Sequence, residues 1–283
     1  DSRLYQDRFS LPGRRYRTAF GDVAALERTV RAHRDIGVLI LETIQGGAGI
    51  VLPSDEYLRQ VRRLCDEYGL VWIADEVQCG VGRTGRFFAF EHAGVIPDVV
   101  TLAKSLGGGK TAIAAVLARH SVHDRAYGSP KTALIHGPST FSGMGEACAT
   151  AIETLHVLYD EQLMSNAALR GDQLMRRLRS LRQRYPRLIR EVRGRGLMAA
   201  IEFADVSAAL PGPAGRLLGW FDRPLRGALP ALIGSQLLAE FGILVAFTEY
   251  NRNAVRLEPP LTVREQHVDA LADALDRLLS RGR

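Results

Sequence analysis

The sequence predicts an α/β protein whose first part is a parallel sheet packed by helices and whose last part is a smaller α+β domain. Three observations predict it. Short apolar runs rich in branched residues alternate with helix-spaced patterns through the first half, as strand–helix–strand units do. Two of those runs end in residues of chemical use, Asp75 and Lys104, and open α/β sheets bind ligands beyond the carboxyl ends of their strands. From Gly145 the pattern changes to long amphipathic helices, with strand signals returning only near Leu197.

The elements follow in order. Residues 37–42 (GVLILE) form a short apolar run of the kind that fills a buried parallel strand. Ser54 is a helix N-cap with Asp55 and Glu56 in the first turn. Leu58, Val61, Leu64, Cys65 and Tyr68 then recur at helical spacing until Gly69 stops the helix. Residues 70–74 form a strand leading into Asp75, residues 99–103 one leading into Lys104, and residues 113–118 another. The interval between Asp75 and Lys104 suits a strand, a helix and a strand. Helices are expected over 145–159 and 166–185, the second burying Leu174, Leu178, Leu181 and Tyr185. Strands return at 197–203, 242–247 and 254–258, and a last helix uses Val268, Leu271, Leu275, Leu278 and Leu279. The division is a large domain over 1–160 and a small one over 161–283. Residues 206–234, rich in Pro, Gly and Leu and containing Trp220, have no predicted fold.

Composition narrows the function classes. The chain has 283 residues, 46% hydrophobic and 24% charged, enough for a substantial core. It has neither an apolar run of membrane-spanning length nor a signal-like start, so no membrane partner and a cytoplasmic location are expected. Its net charge of +6 is spread along helical faces such as 176–187 without interleaved aromatics, which argues against nucleic acid. Cys65, Cys79 and Cys148 lack paired spacing, and the histidines look scattered, so neither disulfides nor a metal is expected. Lysine occurs only at Lys104, Lys110 and Lys131, although Lys and Arg together number 37. Guanidinium stays protonated and cannot serve as an imine-forming amine, so just three positions could do that chemistry.

A buried carboxylate facing a pyridine nitrogen keeps the ring protonated and makes it an electron sink, and a lysine across the ring can bind an aldehyde and then move a proton. Asp75 and Lys104 are of the right types, although such a pair is as often structural. The surrounding residues are more specific. Ile73-Ala74-Asp75-Glu76-Val77-Gln78, followed by Gly80-Val81-Gly82-Arg83-Thr84-Gly85, resembles the signature of class III aminotransferases. Pro97-Asp98-Val99-Val100-Thr101-Leu102-Ala103-Lys104-Ser105-Leu106-Gly107-Gly108-Gly109 resembles that family's lysine segment. Glu42-Thr43-Ile44-Gln45-Gly46, Thr140-Phe141-Ser142-Gly143 and Arg256-Leu257-Glu258-Pro259-Pro260-Leu261 extend the likeness over nearly the whole chain. The last third, with Glu191-Val192-Arg193-Gly194-Arg195-Gly196-Leu197, is most similar to putrescine- and acetylornithine-type members.

The resemblance implies a fold-type I pyridoxal 5'-phosphate transferase, a three-layer large domain with a parallel-rich sheet plus a smaller C-terminal α+β domain. It implies that Lys104 binds the cofactor covalently, Asp75 pairs with the pyridine nitrogen, Val77 packs on the ring and Gln78 bonds the ring's phenolic oxygen. Thr140 is implied to bind the phosphate of a neighbouring subunit's cofactor, and hence a homodimer. Arg256 is implied to take a substrate carboxylate through a two-point contact, a surface ion pair being the plain alternative. The implied reaction moves an amino group from an amine or ω-amino acid to a 2-oxo acid or aldehyde by a ping-pong cycle. An aminomutase or decarboxylase on the same scaffold, or a fragment that folds and dimerises without binding cofactor, are the other readings.

Three departures bear on this. Gly47 stands where many relatives have a glutamate that pairs with the substrate arginine. Lys110-Thr111 follows Gly109 where the family has an apolar residue and proline. Gly109-Lys110-Thr111 resembles the end of a P-loop, but Lys104 occupies the place of its first glycine and a strand follows in place of a helix, which disfavours nucleotide. Nothing over residues 1–37 supplies the family's glycine- and hydroxyl-rich phosphate loop or its ring-stacking aromatic, so the chain is expected to lack an N-terminal part and to bind cofactor weakly alone. His136 is expected to order its loop. Leu217, Leu218, Trp220 and Phe221 suggest a long or acyl-like substrate tail near residues 206–234, with ordinary packing as the alternative.

Overall fold

The computed structural model describes residues 15–133, 140–205 and 227–281. Its first half is built on a four-stranded sheet in the order β1 (Val38–Glu42), β2 (Val71–Asp75), β3 (Val99–Leu102) and β4 (Ala115–Ala118). The first three strands are parallel. Helix α1 (Val23–Ala32) starts where the Asp22 carboxylate accepts the Ala25 N–H at 2.8 Å, and α2 (Asp55–Tyr68) where the Ser54 hydroxyl accepts the Tyr57 N–H at 3.1 Å. Gly69, at φ +67°, ends α2 in the left-handed conformation that suits glycine. Leu58, Val61 and Leu64 of α2 share a hydrophobic cluster with Trp72, Ala74, Val100 and Leu102 of the sheet. Each such side chain contributes about 1.5–3 kcal/mol when fully buried.

Two expectations are corrected here. Between β2 and β3 the chain makes turns and a short 3-10 helix, Ala89–Ala93, in place of an α-helix. The cause is local: the carboxylate of buried Glu76 accepts the Ala89 N–H at 2.9 Å and the Phe90 N–H at 3.1 Å, fixing a tight return. Strand β4 runs antiparallel to β3. The stretch between them is taken up by the 3-10 turn Lys104–Gly107 and by Gly108 and Gly109 at positive φ, so no crossover helix carries the chain back to run parallel.

A short helix α3 (His120–Tyr127) and one turn, α4 (Pro130–Ala133), follow β4. Helices α5 (Gly145–Asp160) and α6 (Leu163–Arg184) lead into a second sheet. It comprises β5 (Ile189–Arg195), β6 (Met198–Phe203), β8 (Ala254–Leu257) and β7 (Ala246–Phe247), in that order and all antiparallel. Helices α7 (Ala228–Phe241) and α8 (Glu265–Ser280) complete it. Leu174, Leu178, Leu197, Ile201, Leu275 and Leu279 form its core.

Strand β5 has no apolar alternation in the sequence because Glu191 and Arg193 serve an ion-pair network: Arg193 reaches Glu191 at 2.7 Å and Glu202 at 2.8 Å. The strand expected over 242–247 shrinks to Ala246–Phe247, because Gly242 at φ +66° caps α7. Residues 228–234 of the unassigned stretch open α7. The remainder, with Leu217, Leu218, Trp220 and Phe221, lies outside the described residues, as does His136. No helix among the described residues is long and apolar enough to cross a membrane.

The two sheets are tied together by polar contacts. Arg83 donates to the carbonyls of Leu197 (3.3 Å) and Pro259, and accepts the Leu197 N–H at 3.0 Å through its own carbonyl. Arg193 Nε donates to the Gly49 carbonyl at 2.8 Å, and Arg195 meets Asp55 at 2.9 Å.

Candidate functional site

Strand register assembles the polar groups. Glu42 pairs with Asp75 across β1 and β2, and Asp75 with Thr101 across β2 and β3, so the carboxyl ends of three parallel strands present these residues in one row. Lys104 follows one residue beyond β3, after Ala103. Asp75 Oδ1 accepts the Val77 N–H at 3.0 Å and the Thr101 hydroxyl at 3.3 Å. Among the described residues both hydrogen bonds end on Oδ1, which leaves Oδ2 for another donor.

Lys104 has φ +46°, a left-handed conformation that costs a side-chain-bearing residue about 1–2 kcal/mol. Such strain concentrates where backbone geometry serves a site. Lys104 is exposed and lines a cavity of about 880 Å³ with Arg83, Ser105, Gly108, Thr154 and Leu261. Gly108 is required there: at φ +60°, its added Cβ would stand 2.5 Å from the Thr154 hydroxyl. Asp75 lies outside that cavity's lining. Glu42 lies within electrostatic reach of both: burial raises its carboxyl above the usual range, the Gly46 N–H (2.9 Å) opposes the rise, the Asp75 charge adds to it and Lys104 opposes it.

Gln78 joins this row to the second sheet. Its Nε2 donates to both oxygens of Glu258 at 3.0 Å, and the amide lies so close to Gly46 that a Cβ there would come within 2.1 Å of Oε1. Glu258 Oε2 stands 3.8 Å from Arg256 Nε, which is buried with no hydrogen-bond partner among the described residues. Burial pulls the Arg83 guanidinium below its usual pKa, and the Glu258 charge opposes the shift. Arg256 lines a second cavity of about 540 Å³ with Glu258, Ile243, Leu244, His267 and Leu271. Its side chain is 20% exposed, so the pairing with Glu258 is a partly buried one.

Asp75, Val77 and Gln78 therefore stand together at the end of β2, with Lys104 beyond the neighbouring strand. Thr140 stands apart: it opens an exposed turn ahead of α5 and lines neither cavity, and Phe141 beside it is 77% exposed. Gly47, in the loop after β1, packs against the turn between β7 and β8, its carbonyl accepting the Glu249 and Tyr250 N–H groups at 3.1 Å. A Cβ on it would be 3.5 Å from Glu249 Oε2. Glu42, Glu258 and Glu76 were missed as site residues, though each lies inside a quoted motif. For Glu258 the signal is the two-residue spacing from Arg256, which puts both on one face of a strand.

A sheet with its acid and lysine beyond the carboxyl strand ends, joined to a smaller antiparallel unit carrying an arginine, defines a fold-type I transferase. The chain belongs to the class III aminotransferases: residues 12–279 match the family Aminotransferase class-III. It is 40% identical over 275 residues to a putrescine aminotransferase of Pectobacterium atrosepticum, covering 95% of this chain and 53% of that protein. Among solved structures it resembles an acetylornithine aminotransferase from Elizabethkingia anophelis (30% identity, TM-score 0.79, covering 94% of this chain and 60% of that one). It also resembles an ornithine aminotransferase from Toxoplasma gondii with pyridoxal phosphate partly occupying its active site (32% identity, TM-score 0.76, 93% and 55%). The chain thus spans little more than half the length of these relatives. Class III aminotransferases depend on pyridoxal phosphate. The donor set fits that group: a carboxylate with one oxygen held and one free, and a strained lysine one strand away.

Proposed function

We propose that this chain carries the catalytic half of an aminotransferase that moves an amino group from an amine or ω-amino acid to a 2-oxo acid or aldehyde in two half-reactions of a ping-pong cycle. The observation behind this reading is the row Glu42–Asp75–Thr101 at the strand ends with Lys104 just beyond it. Pyridoxal phosphate, when bound, supplies an electron sink that stabilises negative charge at the carbon bearing the amino group. In this reading Lys104 would hold the cofactor, and its free amine would be the base that takes and returns the proton of the substrate carbon. Asp75 Oδ2 would face the pyridine nitrogen, with the Val77 N–H and the Thr101 hydroxyl holding the carboxylate in place. Val77 would pack on the ring. Gln78, bonded to Glu258, would offer its remaining amide hydrogen to the ring's phenolic oxygen.

Arg256 binds the substrate carboxylate, and Glu258 neutralises it when the substrate has none. That arrangement suits a site which admits an amine and an oxo acid in turn. Thr140, apart from Lys104 within one chain, serves the phosphate site of a neighbouring subunit in a homodimer. Division into a large domain over 1–160 and a small one over 161–283 belongs to the same proposal, supported by two separate sheets and cores and by the break between α5 and α6. A cytoplasmic location fits the absence of a membrane-spanning helix among the described residues.

The test is Lys104→Ala with added pyridoxal phosphate and a 2-oxo acid. Loss of both the visible absorbance of attached cofactor and the oxo-acid-dependent product is expected. Retention of both defeats the reading.

A further inference from the structure

We infer that His120, His123 and Asp124 form a binding site for a zinc-class divalent ion on α3, apart from the site described above. The three residues occupy positions i, i+3 and i+4 of one helix, and therefore one face. His120 Nε2 stands 3.2 Å from Asp124 Oδ2, and His123 Nδ1 stands 3.5 Å from Asp124 Oδ1. One ligand atom from each residue can be chosen so that all three lie within 4.8 Å of one another. Zinc holds nitrogen and oxygen ligands at about 2.0–2.1 Å, so neighbouring ligand atoms of a tetrahedron sit roughly 3.3 Å apart. Each histidine nitrogen stands near that distance from one of the two Asp124 oxygens, and all three side chains are exposed, so side-chain rotation can close the set from within 4.8 Å and water can supply the remaining position. Two imidazoles and a carboxylate suit zinc, nickel or copper in preference to magnesium or calcium, which favour oxygen.

The helix itself gives the ion a structural consequence. α3 has eight residues, none of them buried, and its N-cap, Arg119, makes no side-chain capping bond. A helix this short has little stability of its own. Chelation across its first turn would fix that turn where the chain leaves β4. Arg119 there anchors to Asp98, by its N–H to the carbonyl at 2.9 Å and by its guanidinium at 3.3 Å. The histidines are scattered over the chain as a whole, but both nitrogen ligands and the carboxylate fall within five consecutive residues, and their spacing becomes a ligand pattern once that stretch is helical.

The test is calorimetric titration of the tag-free chain with Zn²⁺ in a non-coordinating buffer. One saturable site per chain is expected, unaffected by excess Mg²⁺. His123→Ala and Asp124→Asn are each expected to weaken it by roughly tenfold or more, since even loss of a group that only orients a metal ligand costs about that much. His156→Ala, which alters an exposed histidine paired with Glu153, is expected to change nothing. Far-UV circular dichroism of each variant checks that the fold persists. Absence of saturable binding, unchanged affinity in His123→Ala, or loss of binding in Cys148→Ser would overturn the assignment.

Discussion

Strand β6 of the second sheet is buried at all six positions, whereas β1, at the edge of the first, leaves Val38 52% and Ile40 64% exposed. The far edge of the first sheet is similar, with Val116 at 69% and Leu117 at 47%. The second sheet is closed by α6, α7 and α8 around one apolar core. The first is packed by α1 and α2 against Trp72, Ala74, Val100 and Leu102, while its carboxyl ends carry Glu42, Asp75 and Lys104. Packing and chemistry are thus unevenly shared: one sheet is built for burial and lends an arginine from its rim, the other presents charged groups at strand ends. Parallel strands do this readily because their carboxyl ends all point the same way.

That contrast can be broken by substitution. Ile201→Ala in β6 should lower the unfolding free energy by about 2–5 kcal/mol, read from urea denaturation, because a closed core leaves a cavity. A loss below that range would mean the second sheet is less tightly closed than its burial indicates. Asp75→Asn keeps the size of the side chain and removes its charge. It should lower turnover by roughly a hundredfold or more while leaving the denaturation midpoint nearly unchanged. An equal loss of stability and activity would make Asp75 a structural residue.

Glu76 sharpens the comparison within the first sheet. Its buried carboxyl has a raised pKa, chiefly through burial, opposed by hydrogen bonds from groups that include the Ala89 and Phe90 N–H. The folded protein therefore holds this proton at pH values where the unfolded chain has lost it. Stability from this group falls as pH rises from the ordinary carboxylate range through the raised value. Glu76→Gln should flatten that slope in denaturation series from roughly pH 4 to 8. The smallest effect belongs to Ile40→Ala on the exposed face of β1, expected within about 0.5 kcal/mol of wild type. Parity with Ile201→Ala would erase the difference between the sheets.

Much of this was legible in the sequence where local rules decide. Ser54 and Gly69 bound α2 as read, and the strand ending at Asp75 and the strand two residues ahead of Lys104 lie where their apolar runs place them. The 3-10 return at Ala89–Ala93 was not legible, because it depends on a carboxylate from Glu76, thirteen residues back in the chain from Ala89. Strand β5 was hidden because ion pairs of Arg193 with Glu191 and Glu202 stand in for apolar alternation. Asp75, Val77, Gln78 and Lys104 are candidates from their motifs, and the structure places the first three at the end of β2 and Lys104 beyond the neighbouring strand. The link from Gln78 to Glu258 could not be read from a motif, since it spans 180 residues and exists only once the two sheets dock.

The central claim is that one lysine of three carries the cofactor, and borohydride reduction in the presence of pyridoxal phosphate, followed by peptide mass spectrometry, tests it most directly. The account predicts a pyridoxyl adduct on the peptide containing Lys104, lost in Lys104→Ala and weakened in Asp75→Asn. Equal labelling of Lys110 or Lys131, or labelling that Lys104→Ala leaves intact, would contradict it.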